Sequence, residues 1–114
     1  MKYSINEKYN CVVFEIKGKI KGGPHAEVFR NDLQKLIDED KKNVIIDLGK
    51  VNFMDSSGIG ILIGGFKTMR DNGGDIKLCN ADKRITSLLM VSHLNTVFDT
   101  HPSLDSAVKA YEIK

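Results

Sequence analysis

Apolar residues along this chain follow two periods that take turns. Cys11 to Lys17 reads Cys-Val-Val-Phe-Glu-Ile-Lys, rich enough in β-branched and aromatic residues for a strand. Tyr3 to Asn6 is a shorter extended piece, and Glu7-Lys8-Tyr9-Asn10 reads as the turn joining the two in a hairpin. From Pro24 to about Asp40 the spacing becomes helical. Ala26, Phe29, Leu33, Leu36 and Ile37 share one side, and Glu27, Arg30, Asn31, Gln34, Lys35 and Asp38 fill the other. Pro24 suits the first helical position, because the N–H it lacks would have no partner there. Asn43 to Leu48 is apolar almost throughout, as in a covered central strand. A second helix is expected from about Ser57 to Asp71, stopped at Asn72-Gly73-Gly74, where glycine can supply a left-handed cap. Ile76 to Cys79 is another strand. Asp82 caps a helix through Met90 with Ile85, Leu88 and Leu89 inward. Thr96-Val97-Phe98 is expected as a short edge strand, and a last helix starts near Pro102 or Ser103. Strands separated by crossover helices in this order make an α/β fold.

Composition narrows the function classes. A chain of 114 residues is the size of one domain, and the boundary expected is 1–114. Seventeen basic residues are interspersed with fifteen acidic ones, for a net charge of +2, so no clustered basic face argues for nucleic acid. Met1 to Glu7 lacks the apolar stretch of a signal peptide, and no run approaches the ~18 apolar residues of a membrane span. A cytoplasmic location away from the membrane is expected, with Cys11 and Cys79 as reduced thiols.

The chemistry-bearing stretch is Val51-Asn52-Phe53-Met54-Asp55-Ser56-Ser57-Gly58-Ile59-Gly60. A strand runs into a loop, and Asp-Ser-Ser opens a glycine-punctuated helix. Asp and Ser favour such starts because their oxygens accept the unpaired N–H groups of the first turn. A hydroxyl exposed there is a plausible phosphorylation site. Two other readings of the serines fail on spacing. A G-x-S-x-G elbow is absent, since Met54 and Asp55 stand where its first glycine is needed. No P-loop and no paired His or Cys metal spacing occurs, so neither a cofactor, a metal nor an enzyme is expected.

Phe53-Met54-Asp55-Ser56-Ser57-Gly58-Ile59-Gly60 resembles the signature of bacterial anti-sigma-factor antagonists, the stand-alone STAS domains. The similarity continues through Gly18, Phe66-Lys67, Gly73-Gly74, Lys77-Leu78, Ser92-His93-Leu94 and Phe98, in the family's order and spacing. The resemblance implies a small mixed β-sheet with helices packed mainly on one face. It implies that Ser56 is phosphorylated by an anti-sigma factor that is also a serine kinase, with a phosphatase as a further partner. Unmodified protein would bind and phosphoprotein would release. The alternative it allows is a non-switching subunit of a larger transporter or stress-signalling assembly.

The partner surface implied comprises Phe53, Met54, Asp55, Ser56, Ser57 and Gly58 from the loop and helix start. Ile61, Gly64, Gly65 and Thr68 would continue it along the outer face of the helix. On a wheel of 3.6 residues per turn, Ile59, Leu62, Ile63, Phe66 and Met69 form the inward stripe. Gly60, Gly64 and Gly65 each cost about 0.8–1 kcal/mol relative to Ala in a helix interior. Gly60 is expected to let the helix approach the sheet, and Gly64 and Gly65 to let a partner's backbone approach. Asn52 and Met54 read as loop supports, and Met69 and Met90 as core filler. His93 stands where the family often has Gly, as a structural variant.

One departure concerns Gly18-Lys19-Ile20-Lys21-Gly22-Gly23. The resembling proteins commonly carry acidic residues where Lys19 and Lys21 stand. The loop containing Lys19, Lys21, Gly22 and Gly23 is expected near Ser56, so the charge offered to a partner is reversed there.

Overall fold

In the computed structural model, which describes residues 1–112, five strands form one sheet. They are β1 (Lys2–Lys8), β2 (Cys11–Ile20), β3 (Asn43–Met54), β4 (Asp75–Cys79) and β5 (Asp99–His101), side by side in that order. β1 is antiparallel to β2, and the remaining pairs are parallel. The hairpin turn is tighter than the sequence suggests: Glu7 and Lys8 stay in β1, opposite Val12 and Cys11, and Tyr9 turns the chain at φ 59°. Four helices connect the sheet: α1 (His25–Asp38), α2 (Ser56–Asp71), α3 (Lys83–Val91) and α4 (Leu104–Glu112). The mixed sheet in an α/β arrangement is the fold expected. The expected unit 1–114 also includes Ile113 and Lys114, which lie outside the described residues.

Two apolar clusters hold the layers together. In the larger one Phe14, Ile16 and Ile46 of the sheet meet Phe29 and Leu33 of α1, Leu62 and Met69 of α2, and Ile85 and Leu89 of α3. Tyr3, Phe14 and Phe29 stack there, the Phe pair edge to face with centroids 5.5 Å apart. The smaller cluster joins Cys11, Val13, Ile45 and Cys79 to Ala107, Val108 and Tyr111 of α4. The Tyr111 hydroxyl donates to the Val44 carbonyl at 2.7 Å, so its polar end is satisfied inside. Helices therefore pack mainly on one face, three against one.

β3 is longer than its apolar run. A register shift at Gly49, whose amide donates to the Asp47 carboxylate, restarts the strand, and Val51 and Met54 return to the core. The expected edge strand at Thr96–Phe98 is not one. Leu94–Thr96 is a 3₁₀ turn, and Phe98 is buried edge to face against Phe66. The edge strand follows at Asp99, once the core is plugged. Met90 is exposed and is not core filler, whereas Met69 is fully buried. His93 takes the left-handed conformation, at φ 60°. Among the described residues, no helix is long and apolar enough to cross a membrane.

Candidate functional site

The site forms where β2 and β3 end together. Lys19 lies opposite Phe53 and Ile20 opposite Met54, and the Asp55 amide donates to the Ile20 carbonyl at 3.4 Å. β3 thus hands Asp55 to the start of α2 at a fixed place. Its extended backbone aims the side chain back, and the carboxylate accepts the Gly58 N–H at 2.7 Å. This is the N-cap geometry that Asp at such a position favours. Gly58 is required for the contact behind it, since a Cβ there would fall 2.1 Å from the Ile20 carbonyl oxygen. Gly22 closes over the same corner, where a Cβ would come within 2.6 Å of the Ser57 Cβ.

Asp55 is therefore engaged while Ser56 is not. Ser56 is exposed at the first position of α2, and among the described residues its hydroxyl makes no hydrogen bond to the protein. Ser57 is exposed beside it, under the Gly22 loop. The backbone N–H groups of this first turn give the corner a partial positive charge. An added phosphate would meet that field, with the Asp55 carboxylate opposing it.

Lys19 and Lys21 do border the site. Both are exposed, and the Lys21 ammonium sits 5.8 Å from the centroid of the Phe53 ring. Gly22 and Gly23 form the exposed turn between them and α1.

The outer face of α2 differs from expectation in its phase. Ile61 is only 9% exposed and packs in the core, so it leaves the proposed surface. Gly65 faces inward too, where a Cβ would meet Phe29 at 2.8 Å and Leu33 at 2.9 Å. Gly58 is buried for the reason above, and Met54 is 6% exposed and mainly a support. In exchange Ile63, expected inward, is exposed, and Gly60, expected to meet the sheet, has nothing within 4 Å of a Cβ. Gly64 also faces open space, and Thr68 is half-buried with its hydroxyl donating to the Gly64 carbonyl at 2.9 Å. The surface that remains is Phe53, Ser56, Ser57, Gly60, Ile63, Gly64 and part of Thr68. It combines two serine hydroxyls and two exposed apolar side chains, Phe53 and Ile63, with two glycines that leave the helix backbone open.

Two polar features lie elsewhere. Asp99 Oδ2 accepts from Lys77 Nζ at 2.7 Å and lies 2.9 Å from His101 Nε2, while His101 Nδ1 is 3.1 Å from Ser106 Oγ. Sequence spacing alone carries no signal for this chain of contacts. It ties β4, β5 and α4 together, and it uses elements that do not reach Ser56. The thiols are buried. Burial, helped by Asp47, pushes Cys79 up to about 12, and burial raises Cys11, so neither is poised as a thiolate nucleophile.

Known proteins are similar to this chain in sequence and in fold. A family model described as the STAS domain matches residues 2–107. The anti-sigma-B factor antagonist of Bacillus subtilis (strain 168) is 31% identical over 105 residues, covering 92% of this chain and 94% of the relative. The anti-sigma factor antagonist SpoIIAA in its unphosphorylated form superposes with a TM-score of 0.75 at 17% identity, covering 99% of this chain and 100% of the other. The Bacillus cell fate determinant SpoIIAA in its phosphorylated form superposes at 0.71 and 19% identity, covering 96% and 99%. Those two structures share the fold.

Proposed function

The chain belongs to the STAS domain family, and from that membership we propose that it is an anti-sigma factor antagonist working as a phosphorylation-controlled partner switch in the cytoplasm. In this reading it binds a kinase-type anti-sigma factor and so frees a sigma factor. The kinase phosphorylates Ser56, the complex separates, and a phosphatase resets the protein. The chain itself catalyses nothing.

One observation carries the reading: Ser56 is exposed and unbonded at the head of α2, while its neighbour Asp55 is occupied as the cap. The cap fixes the loop without using the Ser56 hydroxyl. The hydroxyl then stands at the rim of the open Gly60–Gly64 surface, where a partner can come close. Phosphorylation adds about −1.5 to −2 charges and three acceptor oxygens. The helix N-terminus tolerates that anion in the free protein. A docked partner would have to desolvate it, so the modification acts on binding and hardly on folding. The similarity to an anti-sigma-B factor antagonist supplies the class of partner.

The test is a binding titration of a purified kinase-type anti-sigma factor with wild type, Ser56→Ala and Ser56→Asp. Wild type and Ser56→Ala bind. Ser56→Asp is weaker by about 2–5 kcal/mol, the scale of an unpaired charge trapped at an interface. Its denaturation curve stays within about 0.5 kcal/mol of wild type, as surface changes do. With ATP, peptide mass spectrometry finds the phosphate on Ser56. Equal binding by all three proteins would sink the switch.

A further inference from the structure

β3 outruns its neighbour. Asn43 to Asp47 pair with β4, but the pairing with β2 continues to Met54. Among the described residues, no strand takes the opposite edge of β3 from Leu48 to Met54. A sheet edge left open in this way offers unpaired backbone groups to any extended chain that reaches it.

A groove lies at the Phe53–Met54 end of that edge. Phe53 and Met54 form one wall, and Arg84, Ser87, Leu88 and Val91 of α3 form the other, enclosing about 330 Å³. The α3 residues are spaced three, four and seven apart, which makes them a single helical stripe. Inward-facing Ile85 and Leu89 already anchor α3 to the core, so this stripe is additional apolar surface. Val91 is 79% exposed and Phe53 is 42% exposed. Contiguous apolar surface of this kind marks a contact site more often than a scattered exposed side chain does.

Charge selects the occupant. Arg84 is the charged residue in the lining, and the Lys21 ammonium lies over the ring of Phe53. The nearest carboxylates in sequence stay out of the lining: Asp55 caps α2 by accepting from Gly58, and Asp82 caps α3 by accepting from Ile85. The groove therefore presents the Arg84 cation and apolar side chains beside an open strand edge, with Lys21 next to its Phe53 end. Strand addition uses those three features together, with main-chain bonds for affinity and alternate side chains in pockets for specificity.

We infer that an extended segment of a protein partner, alternating apolar and acidic residues, adds to the free edge of β3 with its apolar side chains against Leu88 and Val91. The inference rests on reading the chain as a partner-binding module and adds a second contact, with its mode, beside the Ser56 corner. It needs no phosphate.

A displayed library of random decapeptides, panned on the intact unmodified protein, tests it. The enriched peptides should alternate apolar and acidic residues. A representative synthetic peptide should shift the NMR amide signals of Phe53, Met54, Leu88 and Val91, and slow amide exchange within Val51–Met54. Val91→Glu and Arg84→Glu, both at exposed positions, should fold as wild type and each weaken binding at least about tenfold. Any of three results overturns the proposal. These are no enrichment, peptides that bind Val91→Glu equally well, or binding that leaves exchange in Val51–Met54 unchanged. The kinase plays no part in the screen. An empty groove therefore leaves the Ser56 titration standing, and equal binding by Ser56→Asp there leaves the groove result standing.

Discussion

The carbonyl oxygen of Ile20 occupies the place where a side chain at Gly58 would begin, 2.1 Å from an ideal Cβ. The obstacle is backbone, held by the pairing of Ile20 with Met54, so it cannot swing aside as a side-chain tip would. Gly58→Ala must push α2 away from the end of β2. Overpacking of this kind costs about 1–3 kcal/mol, and a backbone clash belongs at the upper end. Urea denaturation should show that loss. Because the same shift moves Ser56, partner binding should weaken at temperatures where the variant is still folded.

Much of this is legible in the sequence, and each part that is not has a physical cause. The strand and helix order follows from periodicity. The cap at Asp82 follows from side-chain chemistry, whereas Asp-Ser-Ser marks the start of α2 without choosing which of the three caps it; the structure gives that place to Asp55. A wheel misplaces the rotation of α2 because it ranks positions by side-chain hydrophobicity. Gly58 and Gly65 score low on such a wheel, yet they mark the line of closest approach to Ile20, Phe29 and Leu33. Their line carries Ile61 inward and leaves Ile63 in water. The displacement of β5 to Asp99–His101 has a different origin. Val97 and Phe98 look like a strand, but the core needs the Phe98 ring against Phe66, and tertiary packing overrides local preference. The groove beside β3 depends on where β4 stops, which no local pattern encodes.

Asp55 can be separated into cap and charge. Asp55→Ala removes the acceptor for the Gly58 N–H and should cost about 1 kcal/mol, within the usual range for a lost N-cap. Asp55→Asn keeps an acceptor oxygen and should recover most of that loss. If Asp55 only caps, Asn should also restore partner binding. Binding lost in Asp55→Asn despite restored stability would assign the charge itself to recognition. Paired denaturation and binding titrations read the two effects apart.

Stability should fall in acid partly through Asp99. Burial works against its carboxylate, but the hydrogen bond and charge of Lys77, with the His101 ring 2.9 Å away, outweigh it and lower its pKa. A carboxylate lowered in the folded state contributes stability above its unfolded pKa, about 3.9. That contribution is lost as pH falls through the lower folded value. Asp99 is half exposed, so the contribution is under about 1 kcal/mol. Asp99→Asn should therefore be less stable than wild type at pH 7. The gap should begin to close as pH drops below about 4 and be gone once the folded wild type is protonated as well, at the lower folded pKa. Denaturant titrations from neutral to strongly acid pH check this, and a gap that stays constant would place the effect in packing around Lys77.

The glycines of α2 make opposed predictions that bear on function. Gly60 and Gly64 face open space, so Gly60→Ala and Gly64→Ala should each stabilise the helix, by up to about 1 kcal/mol. Gly65→Ala meets Phe29 and Leu33 at under 3 Å and should destabilise, by about 1–3 kcal/mol. Packing does not require glycine at either position. If a partner backbone lies against Gly60 and Gly64, the added methyl groups should weaken anti-sigma factor binding even as the melting temperature rises. Stability and affinity would then move in opposite directions in the same protein, which no folding defect can produce. A rise in stability with unchanged affinity would move the docking surface off this face and back to the Phe53–Ser57 corner alone.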